Sequence, residues 1–130
     1  MAVNSNYEGV YLLTHLYDSA TGEVALPADK EFKLRLQHGS DANTYSLGII
    51  IGNSLGGSVT ISDSTEEGRD AFSAGPMRST MMMPPENLWT IEKAVKHVLP
   101  AAEFIHLEGN EDQLLIVEGP SGSMRCTRTE

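Results

Sequence analysis

Three consecutive methionines, at positions 81 to 83, have the side chains best suited to bind a soft metal ion. Thioether sulfurs bind such an ion when several of them converge. In an extended segment, however, Met81 and Met83 face one way and Met82 faces the other. The spacing therefore favours flexible packing where a strand meets a helix, with an exposed apolar lip and a soft-metal site as the alternatives.

The other side chains that could support catalysis are isolated. No histidine has a sequence-close partner at metal-ligand spacing, although His106 precedes Glu108 on one face of a predicted strand. Cys126 lies near two arginines, which would lower the pKa of an exposed thiol, but a buried strand cysteine is the favoured interpretation. We predict no catalytic residue, no metal site and no cofactor. A small hydrolase-like enzyme that uses His106 or Cys126 is the alternative.

The elements that position these residues are mostly strands. Over residues 31–37, Phe32, Leu34 and Leu36 alternate with polar residues, as in a half-buried antiparallel strand. Apolar and β-branched runs predict seven further strands, over residues 7–18, 44–53, 56–62, 72–80, 102–109, 112–119 and 123–128. The glycine-rich segment 52–57 has no lysine after it, which predicts a hairpin and not a phosphate loop.

A single helix is predicted over residues 85–99. Apolar residues recur there at helical spacing, at Leu88, Ile91, Val95, Val98 and Leu99. Trp89 flanks this stripe, and we favour a lid over the core to an exposed anchor for a partner. Eight short strands and one apolar helix predict a mostly β (α+β) fold. We expect a single antiparallel, about eight-stranded cracked β-barrel, with the helix packed across an open side.

The composition is that of a folded, acidic chain of 130 residues with a formal net charge of −9. The negative charge argues against nucleic acid and anionic membrane surfaces as partners. No apolar run reaches the roughly 18 residues that a spanning helix needs. One cysteine excludes an intramolecular disulfide, and no secretory signal is visible. We therefore expect a cytoplasmic monomer without a transmembrane segment or a nucleic-acid partner.

Three segments resemble the META domain family, which includes a heat-inducible bacterial protein and trypanosomatid proteins. They are GNSLGGSVTI (52–61), FSAGPMRSTMMMPPENLWTIEKAVKHVL (72–99) and EFIHLEGNEDQLLIV (103–117). By this resemblance, an asparagine–glycine turn falls at Asn53 and Gly57, and a Thr-x-Met segment at Thr80 and Met82. The helix of the pattern carries Glu92 and Leu99, and a late strand carries Leu114 and Ile116. It covers nearly the whole chain and implies one domain over residues 1–130, with residues 1–6 flexible.

The resemblance also implies a function, although it carries over no catalytic residues. Many bacterial members have cysteines where this chain has Gly52 and Pro84, so a disulfide is not expected and a cytosolic, trypanosomatid-like type fits better. It implies a non-enzymatic binding module for a protein partner or an apolar ligand, linked to stress, secretion or virulence. We predict that the contacts lie at the barrel mouth and include Met81, Met83, Trp89 and Tyr45.

Overall fold

A computed structural model describes residues 7–39, 43–64, 68–80, 82–109 and 113–129. Nine strands and one helix follow one another there: β1 (Gly9–Asp18), β2 (Gly22–Glu23), β3 (Lys33–His38), β4 (Thr44–Ile50), β5 (Ser54–Ser62), β6 (Asp70–Ser79), α1 (Glu86–Val98), β7 (Phe104–Glu108), β8 (Leu114–Gly119) and β9 (Gly122–Arg128). Residues 1–6, predicted to be flexible, and Met81, a predicted contact, lie outside the described residues.

The sheet closes into a barrel because β1 pairs with β3 on one side and with β9 on the other. Strands β3 to β9 pair in chain order between these two, and every neighbouring pair is antiparallel. The two-residue strand β2 pairs with the end of β1 outside the ring. The predicted eight-stranded antiparallel barrel is confirmed. Strand β2 was not predicted, because two residues are too few to show alternation.

Large apolar side chains fill the barrel interior. The alternation predicted around β3 is confirmed, because Leu34 and Leu36 point inward while Lys33 and Arg35 are exposed. The largest fully buried side chains come from most of the long strands and include Tyr11, Leu34, Ile61, Leu115 and Met124. Burying each side chain of this size contributes about 1.5 to 3 kcal/mol. The surfaces open to a partner therefore lie outside the packed interior.

The helix α1 packs against β1 and β9, with His97 bound to Asp18 and Val98 beside Gly122. Strands β6 and β7 share only two residue pairs. Further along β6, Met77 lines a shallow groove together with Val95 and Leu99. The predicted helix across an open side is confirmed, with helical residues 86–98 in place of 85–99. Leu99 caps the helix, because its backbone N–H donates to the Val95 carbonyl oxygen at 2.9 Å.

Leu88, and not Trp89, covers the core at the start of α1. Leu88 is buried, whereas the Trp89 side chain is 40% exposed. The ammonium groups of Lys93 and Lys96 lie 6.0 and 5.6 Å from the centre of the Trp89 ring. Successive helical residues are about 100° apart, so residues 88 and 89 do not share a face. The interpretation of Trp89 as a lid is wrong, because the apolar stripe places Leu88 there.

The motif glycine Gly57 lies inside β5 and not in the turn that the resemblance places between Asn53 and Gly57. A Cβ atom at Gly57 would lie 2.6 Å from the Pro76 carbonyl oxygen. The pairing of β5 with β6 also shifts register immediately after this residue. Glycine is therefore needed here because two strands approach closely, which is a common reason for glycine within a sheet.

The turn between β4 and β5 packs directly against the segment that leads into the helix. A Cβ atom at Gly52 would overlap the Pro84 ring, lying only 2.9 Å from its Cγ atom. Gly52 and Pro84 are the positions where the family resemblance places cysteines in many bacterial members. In this chain the two positions are in contact, with a glycine and a proline ring at the contact.

We predict that Gly52→Ala lowers the free energy of unfolding by about 1 to 3 kcal/mol, because the added methyl group overpacks against Pro84. In a Pro84→Gly background, the same change costs about 1 kcal/mol less. Urea unfolding of the four combinations measures this coupling. The control is Gly48→Ala, where the new Cβ meets only the Leu55 carbonyl oxygen at 3.8 Å. Strictly additive effects of the Gly52 and Pro84 changes would contradict the contact.

Candidate functional site

The buried carboxylate of Glu92 joins the helix to the β4–β5 turn. Glu92 is fully buried on the inner face of α1. Its Oε1 atom accepts a hydrogen bond from the Asn53 backbone N–H at 2.7 Å, and its Oε2 atom accepts one from Asn53 Nδ2 at 2.9 Å. The ammonium nitrogen of Lys96 lies 3.4 Å from Oε2. One buried negative charge thus has three donors around it, as buried charges require.

The side chain of Asn53 extends this network to the segment between β6 and α1. Asn53 Oδ1 accepts hydrogen bonds from the Thr80 hydroxyl at 3.0 Å and from the Met82 N–H at 2.8 Å. Asn53 Nδ2 also donates to the Met82 carbonyl oxygen at 3.1 Å. We call Asn53, Thr80, Met82 and Glu92 the clamp. Four of the eight positions of the family motif therefore come together as one hydrogen-bonded unit.

The clamp keeps Glu92 ionised at neutral pH. Burial raises the pKa of Glu92, but hydrogen bonds from Asn53 and the charge of Lys96 outweigh that effect. The pKa of Glu92 consequently lies below its ordinary value of 4.5. The negative charge is therefore a permanent part of the folded structure under physiological conditions.

Four large apolar side chains are exposed around the clamp, and we call them the end patch. They are Ile50 (65% exposed), Met82 (61%), Met83 (94%) and Trp89 (40%). Ile50 pairs with Ser54, the residue after Asn53, and the Trp89 N–H donates to the Pro85 carbonyl oxygen at 2.9 Å. Clustered exposed apolar residues commonly mark interaction sites.

The expectation that the methionines pack in the core is wrong for Met82 and Met83. Because the backbone of Met82 is bound to Asn53, the side chains of this segment are left at the surface. Met77, in β6, is by contrast half-buried against the core. The exposed lip, one of the two alternatives, describes the observed placement of Met82 and Met83.

Beside the end patch, a surface groove runs over β3 and β4 to the start of α1, and we call it the basic groove. Its volume of about 570 Å³ lies in the range of small-molecule sites. Its apolar lining includes Val10, Phe32, Ile49, Ile50, Ile51 and Leu88. Its charged lining comprises Lys30, Glu31, Lys33 and Arg35. The sequence alone does not reveal this groove, because Lys33 and Arg35 follow the ordinary pattern of outward-facing residues in a half-buried strand.

Tyr45, a predicted contact, lies in the core and not beside Met83 and Trp89. Tyr45 is buried, and its ring meets the Tyr7 ring edge-on with 6.3 Å between centroids. The His38 ring stacks on it at 4.4 Å. Tyr45 therefore offers no exposed surface to a partner, whereas Met83 and Trp89 do.

The residues of the enzyme alternative, His106 and Cys126, lie on opposite faces of the sheet. Cys126 pairs with Leu115 and belongs to the core, as expected for a buried strand cysteine. Burial raises the pKa of Cys126 to about 12, so its thiol stays protonated at neutral pH. His106 Nε2 lies 2.6 Å from Glu108 Oε2 on the outer face, as the spacing of these residues predicted.

Two other kinds of site are absent from the described part of the chain. Among residues 7–39, 43–64, 68–80, 82–109 and 113–129, no three or more His, Cys, Asp or Glu side chains are grouped so that they could hold a metal ion. Within the same ranges, no helix has the length and apolar character needed to cross a membrane.

We predict that Asn53→Ala lowers the free energy of unfolding by about 1 to 3 kcal/mol, because it removes the Nδ2 donor of the buried Glu92 carboxylate and the Oδ1 acceptor of Thr80 and Met82. The Met82 amide proton should also exchange faster with solvent, since its acceptor is removed. Urea unfolding and hydrogen exchange measure the two effects. The matched control is Asn87→Ala on the exposed side of the helix, which should change stability by less than about 0.5 kcal/mol. An Asn53→Ala variant as stable as the control would contradict the clamp.

A second prediction concerns pH. Because the folded-state pKa of Glu92 is lowered, its contribution to stability is present above the ordinary value of 4.5 and is lost as pH falls through the folded-state value. Unfolding free energies measured from about pH 6 to about pH 3 should therefore fall less steeply in Glu92→Gln than in the unmodified chain.

Asp18 shares this pH window and supplies the comparison. A hydrogen bond from the Ala20 N–H outweighs the effect of burial, and His97 adds to it, so the pKa of Asp18 lies below its ordinary value of 3.8. Asp18→Asn should also flatten the profile, and the double variant should be the flattest. An unchanged slope in Glu92→Gln would show that Glu92 has the same proton affinity in both states.

Comparison with known proteins agrees with the geometry. The family profile of the META domain matches residues 7–129. An NMR structure of a protein from Burkholderia xenovorans is similar in fold, with a TM-score of 0.66 and 15% sequence identity, over 94% of this chain and 82% of that one. No curated protein sequence matches the chain. Since the profile covers nearly all of the sequence, the chain belongs to the META domain family.

Proposed function

We propose that this META domain is a non-enzymatic binding module for an apolar ligand or a protein partner, and that its contact surface is the end patch together with the basic groove. One observation carries the proposal. Ile50, Met83 and Trp89 are exposed at one end of a barrel whose other large apolar residues are mostly inside. Leaving such side chains in water is unfavourable by roughly 25 cal/mol for each Å² of apolar area, and a partner would remove that cost.

The clamp supports this function by holding the patch in place. The segment from residue 80 to residue 85 has no regular secondary structure where it is described, yet hydrogen bonds to Asn53 fix the backbone of Met82. A binding surface whose backbone is already ordered loses less conformational entropy when a partner arrives. Met83 and Trp89, on either side of Pro84 and Pro85, can therefore act as ready-made contacts.

The placement of the reactive residues supports a non-enzymatic role. The Cys126 thiol is protonated and enclosed by the core, and His106 lies on the other side of the sheet. A nucleophile and its base normally need to be within hydrogen-bonding distance of each other. A hydrolase-like activity would have to rely on His106 and Glu108 alone, at the outer surface of β7.

The proposal includes the setting implied by the family resemblance, which is stress, secretion or virulence. We propose a cytoplasmic location, which is supported by the single buried thiol and by the Gly52–Pro84 contact in place of a cysteine pair. We also propose that the chain acts as a monomer. Closure of the barrel supports this, because closed rings leave no long strand edge for pairing with another copy.

The proposal is tested by native mass spectrometry of the purified protein after incubation with a lipid extract of its host, and in parallel with a host protein extract. We expect a retained adduct in at least one arm. The double variant Ile50→Ser/Trp89→Ser should lose that adduct, because it removes half of the end patch.

The matched control is Tyr17→Ser, which removes an exposed aromatic side chain of β1 that lies outside the end patch and the groove lining. This variant should keep the adduct. A clean apo mass in both arms, or an adduct that survives in the double variant while the fold is intact, would overturn the binding-module proposal.

A further inference from the structure

We propose that the basic groove binds a fatty acid, with the carboxylate between Lys33 and Arg35 and the alkyl chain along the apolar floor toward Leu88. This inference rests on the proposed binding function and specifies the chemistry of the ligand. It comes from three features of the groove: unpaired cations at its rim, an apolar floor, and a position where a side chain is missing.

Among the described residues, the cations at the rim form no ion pair. They are Lys30, Lys33 and Arg35, and Glu31 lies among them. By contrast, Arg69 pairs with Glu118 and Lys96 pairs with Glu92. The chain has twice as many acidic as basic residues, with 18 against 9, so three adjacent unpaired cations stand out. They offer charge complementarity to an anion.

The geometry of β3 places two of these cations side by side on one face of the sheet. Lys33 and Arg35 are two residues apart, so they project from the same outer face of the strand, about 7 Å apart along it. An arginine guanidinium binds a carboxylate through two parallel hydrogen bonds, and a neighbouring ammonium adds a third donor. A single carboxylate between them satisfies both side chains.

The floor beneath the cations is apolar and contains an open position. Arg35 pairs with Val10 on β1 and with Gly48 on β4. A Cβ atom at Gly48 would meet only the Leu55 carbonyl oxygen at 3.8 Å, so the packing of the barrel does not require glycine there. The missing side chain deepens the groove between Arg35 and Ile50. A straight alkyl chain fits such a channel, because it needs length and little width.

A fatty acid fits these features better than a peptide strand does. Peptides that bind in extended form usually add to an open sheet edge, and β3 and β4 are each paired on both sides. Main-chain hydrogen bonds, the principal source of affinity in that mode, are thus not available at the groove. A carboxylate with one alkyl chain uses instead what the groove provides, which is one site of positive charge and an apolar channel.

The test uses dodecanoate as the probe, titrated below its micelle concentration into the full chain, with amide chemical shifts recorded by NMR. We expect saturable 1:1 binding that shifts the amides of residues 33–35 and 48–51. Dodecanol, with the same chain and no charge, should bind at least about tenfold more weakly. The double variant Lys33→Gln/Arg35→Gln should bind dodecanoate more weakly by a similar factor. Arg125→Gln, on the outer face of β9, should bind dodecanoate as tightly as the unmodified chain.

Gly48→Val supplies the variant that separates binding from folding. Valine is favoured in strands, so this change should leave stability unchanged or raise it, while its side chain fills the channel and abolishes binding. Ser46→Val is the matched control, since it lies on the same strand and the same face but does not line the groove. It should bind dodecanoate like the unmodified chain.

Equal binding of dodecanoate and dodecanol, or binding that survives Gly48→Val, would overturn the assignment of the ligand. So would the absence of dodecanoate binding while host adducts still depend on Ile50 and Trp89, in which case the binding-module proposal stands. If a host protein bound at Lys33 and Arg35 and dodecanoate did not, the groove would be assigned to an acidic peptide. That result would also overturn the inference. Failure of both the extract and the dodecanoate experiments would remove the two proposals together.

Discussion

The hydrogen bonds between Glu92 and Asn53 are the interaction on which the functional end of this molecule depends. A carboxylate on a helix and an amide on a turn are both buried, and each satisfies the other. Burying the charge alone would be strongly unfavourable, so the helix seats on the barrel only when the turn is in place. The same amide also binds the backbone of Met82, so one side chain sets the position of the helix, the turn and the exposed methionines.

The fold could be predicted from the sequence because its determinants are local. Apolar and polar residues alternate around Leu34, which predicts a strand with one buried face. Apolar residues recur at helical spacing in α1, which predicts a helix with one buried face. Whether Trp89 is buried or exposed could not be predicted in this way, since a residue at the border of an apolar stripe can face either side. In the structure Leu88 fills the buried position, so the Trp89 side chain lies at the surface. The exposure of Met82 depends on a hydrogen bond to a residue 29 positions earlier, and no local pattern reports such a contact.

The candidate site shows a related limit of the sequence. The net charge of −9 describes the whole surface, whereas binding responds to charges within roughly 8 to 10 Å at physiological salt. Lys33 and Arg35 looked like ordinary solvent-facing residues of an alternating strand. Only the pairing of β3 with β1 and β4 places an apolar floor and Gly48 beside them. The motif positions Asn53, Thr80 and Glu92 were predictable as a structural set, but their mutual contact was visible only in three dimensions.

The closure of the barrel has a consequence for how the chain is made. The first long strand, β1, takes as one of its two neighbours the last one, β9, with Tyr11 opposite Arg128. During synthesis, one side of β1 therefore stays unpaired until residues 122–128 have left the ribosome. Loop closure over such a separation makes folding slow compared with helical proteins of similar size. A nascent chain with an unpaired apolar strand is prone to aggregate, so its need for chaperones lasts until β9 has emerged.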